Sequence, residues 1–218
     1  MPLLMCDLDD TLVERPPLFR AWATEFLSST GQPADLLDWL IEEDGGGHRP
    51  REELHAAIVR RTGYDVPLEQ FLEEHNELLS GSYRLTPGVR EALDDAKERG
   101  WRIAVVTNGP VVSQGRKVTA TGLEELVDAV CISEEVGVHK PDPLIFRTAA
   151  ERAGTTLEGA WMIGDNLDAD IAGALGVGAR SVWIKRDYDW LTYSSGTEPD
   201  LVATDFPDAV AQVLAATR

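Results

Sequence analysis

Three carboxylates, Asp7, Asp9 and Asp10, follow directly on the apolar run Leu3-Leu4-Met5-Cys6, and three more, Asp165, Asp168 and Asp170, follow Ala160-Trp161-Met162-Ile163-Gly164. Two carboxylates two residues apart at a strand end can differ in environment, so that one stays ionised as a nucleophile while the other carries a proton for a leaving group. Such a cluster also repels itself. A hard divalent cation offsets the repulsion: Mg2+ accepts a few carboxylates, keeps several waters and engages phosphate oxygens. Asp165, arriving from another segment, can complete such a site. Phosphoryl transfer needs charge neutralisation and positioning more than elaborate covalent chemistry. Thr107, Lys140 and backbone N–H groups supply donors for non-bridging oxygens.

Other chemistries find less support. No G-x-S-x-G turn is present, and His48, His55, His75 and His139 mostly occupy segments that read as helical, which disfavours a serine or cysteine triad. The sequence holds no C-x-x-C or H-E-x-x-H pattern, which disfavours zinc.

The elements that must position these residues are short apolar runs. Leu3–Cys6, Ile103–Val106, Val130–Ile132, Ala160–Ile163 and Ser181–Ile184 read as buried strands. Helical patterns separate most of them. One starts near Pro143 and carries Ile145, Ala149 and Ala153; one runs from Ile171 to Leu175; a last holds Val210, Val213 and Leu214. Thr86 reads as the N-cap of another, with Pro87 at its first position and Val89, Ala92, Leu93 and Ala96 as its apolar stripe before Gly100. Strands alternating with helices predict an α/β fold, a Rossmann-like doubly wound parallel sheet with ligands bound beyond the carboxyl ends of the strands. Residues 16–82 break the alternation: Phe19, Trp22, Ala23 and Phe26, then Leu54, Ala57 and Ile58, recur at helical spacing. This stretch is expected to be a small all-helical cap inserted after the first strand, with 1–15 and 83–218 forming the core.

Composition narrows the setting. The chain has 218 residues, 43% hydrophobic and 27% charged, enough for one substantial core, and no apolar run approaches the length of a membrane span. The net charge of −18 opposes binding to nucleic acid or an anionic membrane, so an anionic substrate needs a local cation. Cys6 and Cys131 lie in apolar segments and are expected as free thiols. The N-terminal residues do not read as a signal peptide, and a cytoplasmic protein is the expectation.

Asp7-Leu8-Asp9-Asp10-Thr11, Thr107-Asn108, Lys140-Pro141 and Gly164-Asp165 with Asp170 together resemble, in order and spacing, the four motifs of the haloacid dehalogenase superfamily. The likeness spans essentially the whole chain, and the helical insertion falls where that family places one type of mobile cap. The resemblance implies that Asp7 attacks phosphorus and binds Mg2+, and that Asp9 serves as general acid and then base, its main-chain carbonyl also a metal ligand. Thr107 and Lys140, with Asn108, would hold the phosphoryl group. Asp165 would be the second carboxylate ligand, and Asp170 would orient Lys140 or a metal-bound water.

The expected activity is hydrolysis of a small phosphorylated metabolite through an aspartyl-phosphate. A phosphomutase shares all four motifs. A 2-haloacid dehalogenase needs no leaving-group acid and generally lacks an acid at the Asp9 position, and a non-catalytic binding protein would be expected to lack one of these residues. Asp168 reads as a helix N-terminal acid. Arg15, Phe19, Trp22, Trp39 and Gly45-Gly46-Gly47-His48-Arg49 are tempting as substrate contacts, and Tyr188, Trp190 and Tyr193 as a binding box, but packing and loop roles suit them better. Substrate identity and oligomeric state stay open.

Overall fold

The computed structural model describes residues 1–47, 49–80, 83–186 and 196–217, the last five of the second stretch for their backbone alone. It divides into two compact units, Met1–Glu14 with Arg84–Arg218, and Arg15–Tyr83. His48, Tyr188, Trp190 and Tyr193 lie outside the described residues.

The first unit is built on a six-stranded, all-parallel sheet. Its strands are β1 (Leu3–Cys6), β2 (Arg102–Thr107), β3 (Ala129–Ile132), β4 (Trp161–Gly164), β5 (Arg180–Ile184) and β6 (Leu201–Ala203), in the spatial order β3-β2-β1-β4-β5-β6. Every residue of β1 and β4 is buried, which is why these central strands are unbroken apolar runs and not alternating ones. Strand order reverses between β1 and β4, where Met5 pairs with Met162, and sheets of this kind bind ligands beyond the carboxyl ends of the strands at that point.

The connecting helices are α5 (Val89–Glu98), α6 (Val111–Thr121), α7 (Ser133–Val136), α8 (Pro143–Arg152), α9 (Ala172–Gly176) and α10 (Phe206–Ala216), numbered after the four helices of the second unit. One face of the sheet, with Leu3, Met5, Ala104, Val106 and Met162, packs on Ile145, Phe146 and Ala149 of α8 and Ala174 of α9. Helices α5 and α10 pack on each other and on the strands, and the alternate residues Leu4, Ile103, Val105 and Ile163 point to the opposite face by the strand period of two. Asp142 and Asp205 cap α8 and α10 by accepting from the main-chain N–H groups of Leu144 and Asp208.

Two local expectations are corrected. The helix expected from Thr86 starts at Val89, because Gly88 adopts a left-handed φ of 81° and puts Thr86 and Pro87 in a turn ahead of it. The edge strand β6 has no counterpart among the expected strands; it is a three-residue run, too short to show a period.

The second unit is helical: α1 (Pro16–Ser29), α2 (Leu37–Asp44), α3 (Arg51–Thr62) and α4 (Leu68–Ser80). Phe19, Trp22 and Phe26 of α1 are buried, with Trp22 stacked on Phe26 at 5.3 Å and edge-on to Phe71 at 6.0 Å between ring centroids. Trp39 is half-buried, with the Arg61 guanidinium 5.9 Å from its ring. No described helix is long and apolar enough to cross a membrane. Cys6 and Cys131 are free and buried.

Candidate active site

Asp7 emerges from β1 beside β4, its N–H donating to the Ile163 carbonyl at 2.9 Å. The loop that follows is tightly closed. Leu12 and Val13 donate to the Leu8 carbonyl, Asp10 donates to the Val13 carbonyl, and Asp10 takes a left-handed φ of 55°. Arg186, just beyond β5, donates two hydrogen bonds to the Asp10 carbonyl, at 3.0 and 2.6 Å. Asp10 thus shapes the loop from which Asp7 and Asp9 project.

Lys140 lies at the centre of the carboxylates and is buried. Its ammonium donates to Asp7 Oδ1 at 2.5 Å and to Asp170 Oδ1 at 2.6 Å. The other Asp170 oxygen accepts from the Asn166 N–H at 3.1 Å. Asn166, not Asp168, caps the turn, accepting from the N–H groups of Asp168 and Ala169. Gly164 is the residue that lets Asp170 approach: a Cβ there would lie 2.2 Å from Asp170 Oδ2. Asp165 is anchored by its main-chain carbonyl, which accepts from the Trp183 indole N–H at 2.8 Å.

Asp7, Asp165 and Asp170 each bring one oxygen to within 4.8 Å of the others. Burial pushes the Asp7 carboxyl up to about 7; Lys140 opposes the rise, while Asp170 and Asp9 add to it. Asp165 is also raised, by burial and then by the Asp7 and Asp170 charges. Burial acts to lower the Lys140 ammonium, but Asp170 and Asp7 outweigh it and keep the group protonated. Among the described residues, the Lys140 ammonium lies against Asp7 and Asp170 with Asp165 beside them, and a bound cation would relieve the burial and mutual repulsion that raise Asp7 and Asp165. This, and the all-oxygen donor set, fit Mg2+.

The structure brings Thr107 and Asn108 to the same edge. The Asn108 side chain clamps the Lys140 backbone, accepting from its N–H at 2.8 Å and donating to its carbonyl at 3.0 Å. Thr107 is buried, its hydroxyl 2.5 Å from the Gln114 amide nitrogen. The Asp9 carboxylate lies apart from the triplet, held by Lys117 Nζ at 2.6 Å from each oxygen and by Gln114 Nε2 at 3.0 Å.

Gln114, Lys117 and Arg186 belong to none of the motifs that the sequence presents. The only signal available was a pair of polar residues at i and i+3 on the same buried face of α6 as Val118.

Residues 1–178 match the family model for haloacid dehalogenase-like hydrolases. The chain is 40% identical over 197 residues to a ribulose-1,5-bisphosphate 5-phosphatase of Halopiger xanaduensis, covering 82% of each. It is 32% identical over 198 residues to a glyceraldehyde 3-phosphate phosphatase of Pyrococcus abyssi, covering 84% of this chain and 81% of that protein. The crystal structure of a HAD phosphatase from Thermococcus onnurineus superposes with a TM-score of 0.68 at 24% identity, over 98% of each chain, and shares the fold. With the family model matched over residues 1–178 of 218, the chain belongs to the haloacid dehalogenase-like hydrolases.

Proposed function

We propose that this protein is a Mg2+-dependent phosphatase acting on a phosphate monoester of a small metabolite, with Asp7 as nucleophile. The observation that carries the proposal is the Asp7–Lys140–Asp170 bridge, with Asp165 beside it. It sets an ionisable oxygen beside an ammonium donor and two further carboxylates, a group that could hold a cation. Asp7, Asp165 and the Asp9 main-chain carbonyl would hold the ion, whose charge neutralises the buried carboxylates and the non-bridging oxygens of the ester.

In the first half-reaction an Asp7 carboxylate oxygen attacks phosphorus and the ester P–O bond breaks. Asp9, protonated at the start of the cycle, delivers that proton to the departing oxygen, leaving an aspartyl-phosphate and an Asp9 carboxylate that the Lys117 ammonium stabilises. In the second, Asp9 takes a proton from a water whose oxygen attacks phosphorus. The bond to Asp7 breaks, phosphate leaves, and both carboxyl groups return to their starting states. Lys140 and Thr107 donate to the phosphoryl oxygens, with Asn108 contributing through its main-chain N–H while its side chain fixes Lys140. Asp170 holds the Lys140 ammonium in place.

Both curated relatives above are named for phosphorylated sugars, and phosphates of short sugars head the substrate class we propose. Substrate choice falls to the helical unit, acting as a cap. The test is phosphate release from a panel of small esters, with Mg2+, with excess chelator, and with Asp7→Asn. Turnover that needs both the metal and Asp7 is expected. Release that persists in chelator or in Asp7→Asn contradicts the proposal, and conversion of an ester to its isomer without free phosphate points to a mutase.

A further inference from the structure

Lys117 lies on α6, at the outer end of no sequence motif that the chemistry above uses, yet its side chain is almost wholly buried. Lysine is almost never buried without a partner, because its ammonium loses hydration. Here the ammonium lies 2.6 Å from both Asp9 oxygens and donates to Gln114 Oε1 at 2.7 Å. Gln114 is 2% exposed and its amide is oriented by these contacts: its oxygen accepts from Lys117, and its nitrogen faces Asp9 Oδ2 and the Thr107 hydroxyl. The helix carrying both residues is itself tied down. The Val111 N–H donates to Glu134 Oε2 at 2.6 Å, and the Gly109 N–H just before it donates to the Ser133 hydroxyl at 2.9 Å.

A proton donor in a loop has rotamers to choose from, whereas its task requires it within hydrogen-bond reach of the ester oxygen. A displacement of about 1 Å is enough to cost about 100-fold in rate. We infer that Lys117 and Gln114 are positioning residues for the reaction: they fix the Asp9 carboxyl group from a rigid helix on the far side of the loop and align it with the leaving oxygen. The same amide couples Asp9 to Thr107, so the proton donor and a phosphate-binding hydroxyl share one support. This inference rests on the reading of Asp9 as the proton donor.

The experiment uses the full chain with Mg2+ and compares kcat/KM for an alkyl phosphate the protein turns over with kcat/KM for 4-nitrophenyl phosphate. The nitrophenolate leaves without protonation, and kcat/KM covers only the steps through the phosphoenzyme, so the later base role of Asp9 does not enter. For Asp9→Asn a loss on the alkyl ester of about 1,000-fold, with a far smaller loss on the aryl ester, is expected. Lys117→Met is expected to lose about 100-fold on the alkyl ester and at least tenfold less on the aryl ester. Lys117→Arg, which keeps a cation for Asp9, restores part of the alkyl rate. Equal losses on the two esters, or no loss on either, for Lys117→Met overturn the inference while leaving Asp9 in its role. Equal losses for Asp9→Asn overturn the role of Asp9 and the inference with it. If Lys117→Met does not fold, Gln114→Leu makes the same comparison with the same deciding outcomes.

Discussion

Each unit of this protein buries a charge network, and the two are unlike. In the helical unit, Asp44 at the end of α2 is held by Arg15 ahead of α1, at 3.1 and 3.2 Å, and by Arg51 at the start of α3, at 2.7 Å. Burial acts to raise the Asp44 carboxyl, but Arg15 and Arg51 outweigh it and hold it below the usual carboxylate range. In the α/β unit one lysine serves Asp7 and Asp170 with Asp165 close by, and burial wins: Asp7 and Asp165 are both pushed up. A carboxylate with two guanidinium groups is a strut joining three helix ends. Three clustered carboxylates, two of them raised by burial and mutual repulsion, are a site that a cation would stabilise. The difference separates architecture from chemistry more reliably than burial alone, since the side chains of Asp44 and Asp170 are equally hidden.

The largest effect that could break this contrast is on activity. Asp7→Asn is expected to lower phosphate release at least about 1,000-fold while the metal-free protein gains thermal stability at pH 8, because a buried repelling charge is gone. Asp44→Asn is expected to do the reverse. It strands two buried arginines and costs about 3 kcal/mol, seen as a fall in Tm of about 6–12 °C, with turnover per folded molecule changed far less. A stability loss in Asp7→Asn under those conditions, or none in Asp44→Asn, would merge the two networks into one kind.

A glycine beside each network sharpens the contrast. A Cβ at Gly164 would lie 2.2 Å from Asp170 Oδ2, and one at Gly47, where φ is 88°, would lie 1.8 Å from the Arg15 Nη1. Gly164→Ala is expected to displace Asp170 from Lys140 and lower kcat about tenfold or more. Gly47→Ala is expected to lower stability by about 1–3 kcal/mol, measured by urea denaturation, through strain and a displaced Arg15.

The smallest effect is on pH dependence, and its sign differs between the networks. Asp7 has a folded-state value of about 7 against an ordinary 3.8, so the folded protein binds more protons than the unfolded one between these limits. Its contribution to stability is complete below about pH 4 and is lost as pH rises to about 7. Asp44 is shifted the other way, so its contribution is present above its ordinary value of 3.8 and is lost on acidification. In metal-free protein the Tm advantage of Asp7→Asn over the native chain should therefore open between about pH 4 and 7, and added Mg2+ should close it by stabilising only the native chain. Thermal melts across that range, with and without Mg2+, decide this.

Much of the fold was legible because the sheet is parallel and buried on both faces, so its central strands are bare apolar runs ending in polar residues. Asp7, Thr107 and Asp165 could be found by that rule. The rule fails where an element is too short, as in β6, or where one residue's backbone decides, as Gly88 does for α5. It also fails where a side chain's partner is remote. Lys117 reads as a solvated lysine until Asp9, 108 positions away in the chain, is seen beside it. Asn108 was expected at the phosphate, yet its side chain is committed to the backbone of Lys140, 32 residues on. Asp44 looks like one more acid in Glu42-Glu43-Asp44, because nothing local announces Arg15 and Arg51.

The central claim is that the oxygen of Asp7 takes the phosphoryl group. The direct measurement is to quench the native protein in acid during turnover of a phosphate ester with Mg2+ and to locate the phosphoryl group by peptide mass spectrometry. A phosphoryl group on Asp7, absent from Asp7→Asn, is the predicted result. Steady turnover with the group on another residue, or with no phosphorylated protein trapped from 4-nitrophenyl phosphate even when the second half-reaction is slowed by Asp9→Asn, would contradict it.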